Sequence, residues 1–263
     1  YVSCVDIPAQ LAELCVLALE EGIETAYVHR LIEQRRLVPA TPPLHLRTWP
    51  WRYRIYTLGG FSVMRQGRVL QFGGKPPQRT LDVLRVLVAF GGESISCHLV
   101  SDILWEDATG DAAYSALKTQ IHRLRRLLGD PELVSWEGKQ VSLHPQLVWT
   151  DVRALQAVFV HMAAPPKGGE GPERLAQRVI EIYKGAFLPE VEQSWVFEPR
   201  RSLAALFKRC VTLIGQALEE QEQWREALVL YNQAGQREPD GGHWERRIAR
   251  VQQNLNGREG VGQ

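Results

Sequence analysis

Residues 104–129, with the sequence LWEDATGDAAYSALKTQIHRLRRLLG, decide the fold that this chain is expected to adopt. At about 100° per residue, an apolar stripe is formed by Ala113, Tyr114, Leu117, Ile121, Leu124 and Leu128. The opposite face is small or polar near its start and becomes basic further along. Gly129 ends the helix, because glycine readily adopts the left-handed conformation found after many helices. The stretch predicts one amphipathic helix with a core side and a basic side.

The segments on either side of this helix predict strands and two further helices. Residues 54–58, 61–65 and 69–72 alternate between apolar and polar, as short antiparallel strands do. A helix with Thr80 as its N-cap follows, then a bridge at Ile95 and a short helix up to Leu104. Residues 133–136 and 140–143 predict a hairpin around Gly138. This order indicates a winged helix-turn-helix with an N-terminal antiparallel sheet over residues 52–146.

The second half of the chain is predicted to be a helical domain over residues 151–256. Residues 164–172 interrupt it with glycines and prolines, which predicts a loop. Tetratricopeptide spacing is found at Gly215, Ala227, Tyr231, Ala234 and Pro239. The expected fold class is therefore mainly α with a small β component. A winged helix-turn-helix is followed by an all-α, tetratricopeptide-like domain.

The first 51 residues are predicted to precede the winged helix as separate pieces. Apolar residues recur at helical spacing on both sides of Gly22, which predicts two helices within residues 9–37. Residues 39–51 begin with PATPP, and prolines interrupt helices, so this stretch is predicted to be a linker. We interpret residues 1–38 as a helical hairpin that ends an upstream helical domain.

Composition and charge exclude some classes of protein. No run approaches the roughly 18 apolar residues of a membrane-spanning helix, so no membrane partner is expected. Cys4, Cys15, Cys97 and Cys210 are scattered, which favours a reduced, cytoplasmic setting over a disulfide framework. The net charge is only +1, but residues 52–146 hold 12 Lys and Arg against 9 Asp and Glu. The positive excess therefore lies in the segment that contains the basic helix.

The basic face of this helix contains the candidate DNA-binding residues. They are Ser115, Lys118, Thr119, His122, Arg123, Arg125 and Arg126. Small residues allow close approach to base edges, and a guanidinium group can donate two hydrogen bonds to guanine or to phosphate. At the hairpin turn, Lys139 and Gln140 are placed to reach a neighbouring groove or phosphate. We expect the helix to enter the major groove with its N-terminus first, because its basic charge increases away from that end.

Alternatives remain open for each of these features. The basic face can be a solvated surface on which Arg125 and Arg126 complement the helix dipole. The hairpin can be a plain surface hairpin, and the helical half can make the chain a protein-interaction scaffold without DNA specificity. An enzyme is not expected, because the seven histidines are dispersed and lack ligand-spaced partners. No cofactor is expected, since the prolines after Gly73-Gly74-Lys75 cannot supply the backbone donors of a phosphate loop.

Residues 54–143, centred on LWEDATGDAAYSALKTQIHRLRRLLG, resemble the OmpR-type winged helix of the Streptomyces antibiotic regulatory proteins. The stretch that follows is similar to the bacterial transcriptional activator domain of that family. Its marks are WTDVRAL from Trp149, YKGAFLPEVEQSWVFEPRRSL from Tyr183, and the tetratricopeptide positions up to Pro239.

The resemblance implies a bacterial, cytoplasmic transcription activator that binds double-stranded DNA. It further implies that tandem or dimeric protomers bind direct repeats and that the protein contacts RNA polymerase. Carried over by position, the DNA-facing residues are Lys118, Thr119, His122, Arg123 and Arg126. The segment GIETAYVHRLIEQRRLVP from Gly22 is similar to the end of the helical sensor array in large ATP-dependent regulators of the maltose-activator kind. The resemblance thus implies the C-terminal output module of such a regulator.

Overall fold

The computed structural model describes residues 7–72, 77–163, 170–239 and 242–259. The helices are Ile7–Glu20 (α1), Thr25–Arg35 (α2), Gln78–Ala89 (α3), Cys97–Leu104 (α4), Gly110–Leu128 (α5), Asp151–Ala163 (α6), Pro172–Ile182 (α7), Phe197–Glu220 (α8), Trp224–Arg237 (α9) and His243–Glu259 (α10). The strands are Tyr53–Tyr56 (β1), Ser62–Arg65 (β2), Arg68–Val69 (β3), Ile95–Ser96 (β4), Val134–Glu137 (β5), Gln140–Leu143 (β6) and Val148–Thr150 (β7). The predicted loop at Gly73-Gly74-Lys75 and residues 164–169 of the predicted loop at 164–172 lie outside the described residues.

The chain divides into two compact units, and the division does not follow the chain order strictly. The first unit contains residues 1–55 and 62–150, so the N-terminal helices belong with the winged helix. The second unit contains residues 151–263 together with the short segment 56–61. The fold is mainly α with a small β component, as the sequence predicts, because short strands accompany ten described helices.

The N-terminal sheet of the first unit has the order β3-β2-β1-β7. Strands β2 and β3 are antiparallel, as expected, but β7 lies parallel to β1 with Tyr53 opposite Val148 and Ile55 opposite Thr150. Strand β7 was not predicted, because its three residues are all buried and show no apolar–polar alternation. The sheet therefore receives one strand from the chain that follows the hairpin.

Helices α3, α4 and α5 pack together beside a second sheet of order β4-β6-β5. Strands β5 and β6 form the predicted hairpin, and Ile95 of β4 pairs with Val141 of β6. The prediction that Thr80 caps α3 is wrong, because the helix begins two residues earlier, at Gln78. The Thr80 hydroxyl lies 2.7 Å from Oε1 of Gln120, so the threonine joins α3 to α5.

Residues 39–51, predicted to be a linker, contain no helix or strand and are packed against the rest of the first unit. Leu46, Trp49 and Trp51 are buried, because the segment returns apolar side chains to the core. The indole nitrogen of Trp149 donates to the carbonyl of Leu44 over 2.9 Å. The segment is therefore part of the folded unit that also holds the winged helix.

The second unit is built from helices α6 to α10. Tyr183 and Phe207 stack with their ring centres 3.9 Å apart in its core. Of the tetratricopeptide positions, Gly215 on α8 faces the ring of Tyr231 on α9, whose side chain is fully buried. Burial raises the pKa of the Cys210 thiol in this core to about 12, so the thiol stays protonated.

Candidate nucleic-acid interface

Helix α5 is held at its C-terminus by two side chains from the N-terminal sheet. The Leu128 carbonyl accepts hydrogen bonds from the Tyr53 hydroxyl at 2.9 Å and from Nη1 of Arg65 at 3.2 Å. Such carbonyls have no partner within the helix, so these donors satisfy groups that would otherwise be exposed. Gly129 follows in the left-handed conformation, with a φ angle of 71°, as the sequence predicts.

One side of α5 is buried and the other is open along its whole length. The buried residues are Ala113, Leu117, Ile121, Leu124 and Leu128. The exposed residues include six of the predicted DNA-binding side chains: Ser115, Lys118, Thr119, His122, Arg123 and Arg126. The structure thus brings these six residues together on one helix face that the core does not use.

Arg125 differs from the neighbouring arginines, because its guanidinium group already has a partner. Its Nε and Nη2 atoms both donate to the carbonyl of Val134 on β5, at 2.9 and 2.7 Å. The residue is half-buried and ties α5 to the hairpin. Within the described part of the chain, the side chains of Arg123 and Arg126 make no hydrogen bond or ion pair. We therefore assign Arg125 a positioning role, in place of the base or phosphate contact that the sequence suggested.

We expect Arg125→Ala to destabilise the winged helix by about 1 to 3 kcal/mol, because a buried carbonyl loses its charged donor. The adjacent substitution Arg126→Ala is the matched control, and an exposed position should change stability by less than about 0.5 kcal/mol. Chemical denaturation of the two variants and the wild type measures both values. Equal stability of the two variants would contradict the assigned role of Arg125.

The hairpin of β5 and β6 places its turn residues at the surface. Glu137 pairs with Gln140, so Gly138 and Lys139 form the turn, and Lys139 and Gln140 are exposed. The backbone of Lys139 is fixed because its carbonyl accepts a hydrogen bond from the amide of Cys97. The side chain of Lys139 is therefore presented from an ordered turn, as the predicted wing requires.

An aromatic contact that the sequence patterns do not assign joins the hairpin to the first half of α5. The rings of Tyr114 and Trp136 meet edge to face, with centres 5.2 Å apart. His98 on α4 lies 6.0 Å from the Tyr114 ring. Tyr114 and Arg125 are eleven residues apart, about three turns, so both lie on the shoulder of α5 that faces the hairpin. A spacing of three full turns is the signal in the sequence that indicates a second row of contacts along α5, beside the apolar stripe.

The charge along the exposed face changes sign. Asp111 is exposed in the first turn of α5, and Asp107 is exposed in the preceding connection. The cationic side chains begin only at Lys118, in the third turn. Carboxylates repel phosphates, so Asp107 and Asp111 act against entry of the helix by its N-terminus, which stays a prediction.

Comparisons with known proteins find limited similarity. No family model matches the chain, and no curated protein matches it. A solved structure of Mycobacterium tuberculosis EmbR in complex with a low affinity phosphopeptide is similar, with 14% sequence identity and a TM-score of 0.43. The match covers 77% of this chain and 65% of that chain, which is less than two thirds of the length of that structure.

Two further observations concern the described residues only. None of their helices is long and apolar enough to cross a membrane. No group of three or more His, Cys, Asp or Glu side chains among them is arranged to hold a metal ion.

Proposed function

We propose that the chain is a sequence-specific, duplex DNA-binding transcription regulator that places α5 in the major groove. The observation that carries this proposal is the exposed face of α5, where Lys118, Arg123 and Arg126 extend from a helix whose other side is fully packed. A major groove about 12 Å wide admits one α-helix. Cations with no partner in the described structure are available to phosphates and to guanine edges.

The anchoring of α5 supports the proposal because recognition requires a rigid helix. Tyr53 and Arg65 fix its C-terminus, and Arg125 and Tyr114 fix its shoulder to the hairpin. Burial raises the pKa of the Tyr53 hydroxyl and so favours its protonated form, the form that donates to the helix. Neighbouring elements therefore hold the backbone of α5 at its C-terminus and along the side that faces the hairpin. Binding from such a preorganised helix loses less conformational entropy.

In the same proposal, the protein acts as an activator in the bacterial cytoplasm. Tandem or dimeric protomers bind direct repeats, the wing residues Lys139 and Gln140 contact the adjacent backbone, and the protein recruits RNA polymerase. These finer statements rest on the resemblance to the Streptomyces antibiotic regulatory proteins. A selection of bound duplexes from a random pool tests them, because direct repeats give a fixed half-site spacing.

The proposal that residues 1–38 end a helical domain of an ATP-dependent regulator also rests on resemblance, and it stands beside the grouping of α1 and α2 with the winged helix in the first unit. Exposed apolar side chains support it: Ile7 is 70% exposed, Leu14 61% and Tyr27 56%. Large exposed apolar side chains favour packing against further helices. The upstream coding sequence decides the question, since such a regulator encodes a phosphate-binding loop there.

A protein-interaction scaffold is the alternative, and one feature of the second unit favours it. Helices α7 and α9 border a groove of about 480 Å³ whose apolar wall includes Ile180 and Val229. Its rim carries both acidic and basic residues, Glu226 and Arg237 among them, so the charge does not select a class of partner. The salt dependence of DNA binding separates the two functions, because only phosphate contacts release counterions.

Substitution of the exposed arginines tests the proposed function. We expect Arg123→Ala and Arg126→Ala each to weaken duplex binding by about tenfold and to lower the salt slope by about one for each phosphate that is no longer neutralised. Arg201→Ala is the control, because the Arg201 side chain on α8 is 80% exposed and lies in the other unit. Fluorescence anisotropy over a salt series measures both quantities. Wild-type affinity and slope in both α5 variants would overturn the proposal.

A further inference from the structure

Thr119 lies in the middle of the exposed face of α5, one turn after Ser115 and one turn before Arg123. Its hydroxyl donates to the carbonyl of Ser115 at 3.0 Å. The hydroxyl proton is therefore used within the helix, and Oγ1 is drawn against the backbone. The Cγ2 methyl is the group of this exposed side chain that takes no part in the bond.

We infer that Thr119 is a specificity-determining residue that contacts the C5-methyl group of a thymine in the major groove. The inference rests on the proposed function and names the base that the centre of α5 reads. Thymine is the base that presents a methyl group in this groove, and threonine methyl groups are suitable partners for it. Ser115, one turn earlier, is small and exposed, so it leaves room for the base edge.

The surroundings of Thr119 favour a methyl contact over a hydrogen bond that the threonine donates to a base. Arg123 and Lys118 supply the donors for guanine and phosphate on either side. Donation to Ser115 uses the only proton of the hydroxyl, so Thr119 cannot also donate to an acceptor atom on a base edge. The lone pairs of Oγ1 remain able to accept from an amino group of adenine or cytosine. The apolar contact uses the methyl group, and the serine and valine variants distinguish it from a hydrogen bond that Oγ1 accepts.

The first test replaces thymine in a duplex selected by the wild-type protein. Deoxyuridine lacks only the methyl group, and each thymine of the half-site is replaced in turn. At one position per half-site we expect about a fourfold loss of affinity, the factor that corresponds to about 0.8 kcal/mol for one buried methyl group. Wild-type affinity with uridine at every position would overturn the inference.

Two variants identify Thr119 as the residue responsible. Thr119→Ser removes the methyl group and keeps the hydroxyl, so it should lose the same factor on thymine and become insensitive to uridine. Thr119→Val keeps a methyl group at that position and removes the hydroxyl, so it should retain both affinity and uridine sensitivity. The opposite pattern, with the serine variant unaffected and the valine variant weakened, would show that Oγ1 accepts a hydrogen bond and would overturn the inference.

The position is exposed, so both variants are expected to fold, and thermal unfolding confirms this before binding is measured. Failure of the inference is distinguishable from failure of the proposed function. If the wild-type protein shows no salt-dependent duplex binding, the proposed function fails and the inference fails with it. If binding is salt-dependent but indifferent to the thymine methyl, the inference alone is wrong.

Discussion

Gly215→Ala is expected to lower the melting temperature of the second unit markedly. A Cβ atom at this position would lie 2.5 Å from Cε1 of Tyr231 and closer still to its Cζ and Oη atoms. Tyr231 cannot move aside easily, because it is fully buried and its hydroxyl donates to Oε1 of Glu219 over 2.7 Å. We expect a steric cost of about 3 kcal/mol, offset in part by a gain of about 1 kcal/mol in helix propensity.

Gly235→Ala is the matched control, since Gly235 also lies within a helix of the second unit. A Cβ atom there would lie 3.6 Å from the nearest atoms of Trp244, an ordinary contact distance. The same substitution is therefore expected to stabilise the protein by about 0.5 to 1 kcal/mol. Thermal unfolding followed by circular dichroism should show shifts of opposite sign. Equal shifts for the two variants would contradict the close helix contact at Gly215.

Periodic patterns along the chain predict the long elements well. The helix from Gly110 to Leu128 can be predicted from its apolar stripe and from Gly129. Both signals are local, because they lie in the helix itself or in the residue directly after it. The hairpin of β5 and β6 follows from alternation around Gly138 for the same reason. Spacing likewise indicates the small and aromatic positions of the second unit, where Gly215 and Tyr231 meet.

Features that depend on distant partners could not be predicted in this way. Arg125 has the same local sequence context as Arg126, but its partner is the carbonyl of Val134 on strand β5. Strand β7 is defined by its parallel pairing with β1, more than ninety positions earlier in the chain. The candidate site was thus predictable as a basic helix face. The local sequence does not show which of its arginines are exposed and which one anchors the helix, because that depends on contacts made only in the folded chain.

Asp151 also depends on partners that are distant in the sequence, and its substitution is expected to have a large effect. Its carboxylate is fully buried at the start of α6. Oδ2 accepts from the amides of Thr57 and Leu58, at 2.5 and 2.7 Å. Oδ1 accepts from the Thr57 hydroxyl at 2.7 Å and from the amide of Val152 at 2.9 Å. All four partners belong to the second unit, so the carboxylate ties segment 56–61 to the helical part of that unit.

We expect Asp151→Ala to destabilise the second unit by about 4 kcal/mol, because three buried amides lose their acceptor. Thr57→Val is the matched control: it removes one donor of the same network and should cost about 1 kcal/mol. Chemical denaturation of both variants gives the comparison. A loss for Asp151→Ala no larger than that for Thr57→Val would show that the backbone amides find other partners.

The pH dependence of this difference has a defined sign. Burial raises the pKa of Asp151 from 3.8 to about 6, although the hydrogen bonds from Leu58, Thr57 and Val152 act in the opposite direction. Between these two values the folded state binds the proton more tightly than the unfolded chain does. The contribution of Asp151 to stability is therefore largest below the lower value, declines as the pH rises through the window, and is constant above about 6.

The alanine variant lacks this titration, whereas other groups titrate in both proteins and cancel in the difference. The gap in stability between the wild type and Asp151→Ala is thus expected to be widest below the lower pKa and to narrow toward the upper one. The carboxyl carbon shift of Asp151, followed by nuclear magnetic resonance, measures the folded pKa independently. A gap that widens as the pH rises would mean that the four hydrogen bonds outweigh burial, with a folded pKa below the ordinary value.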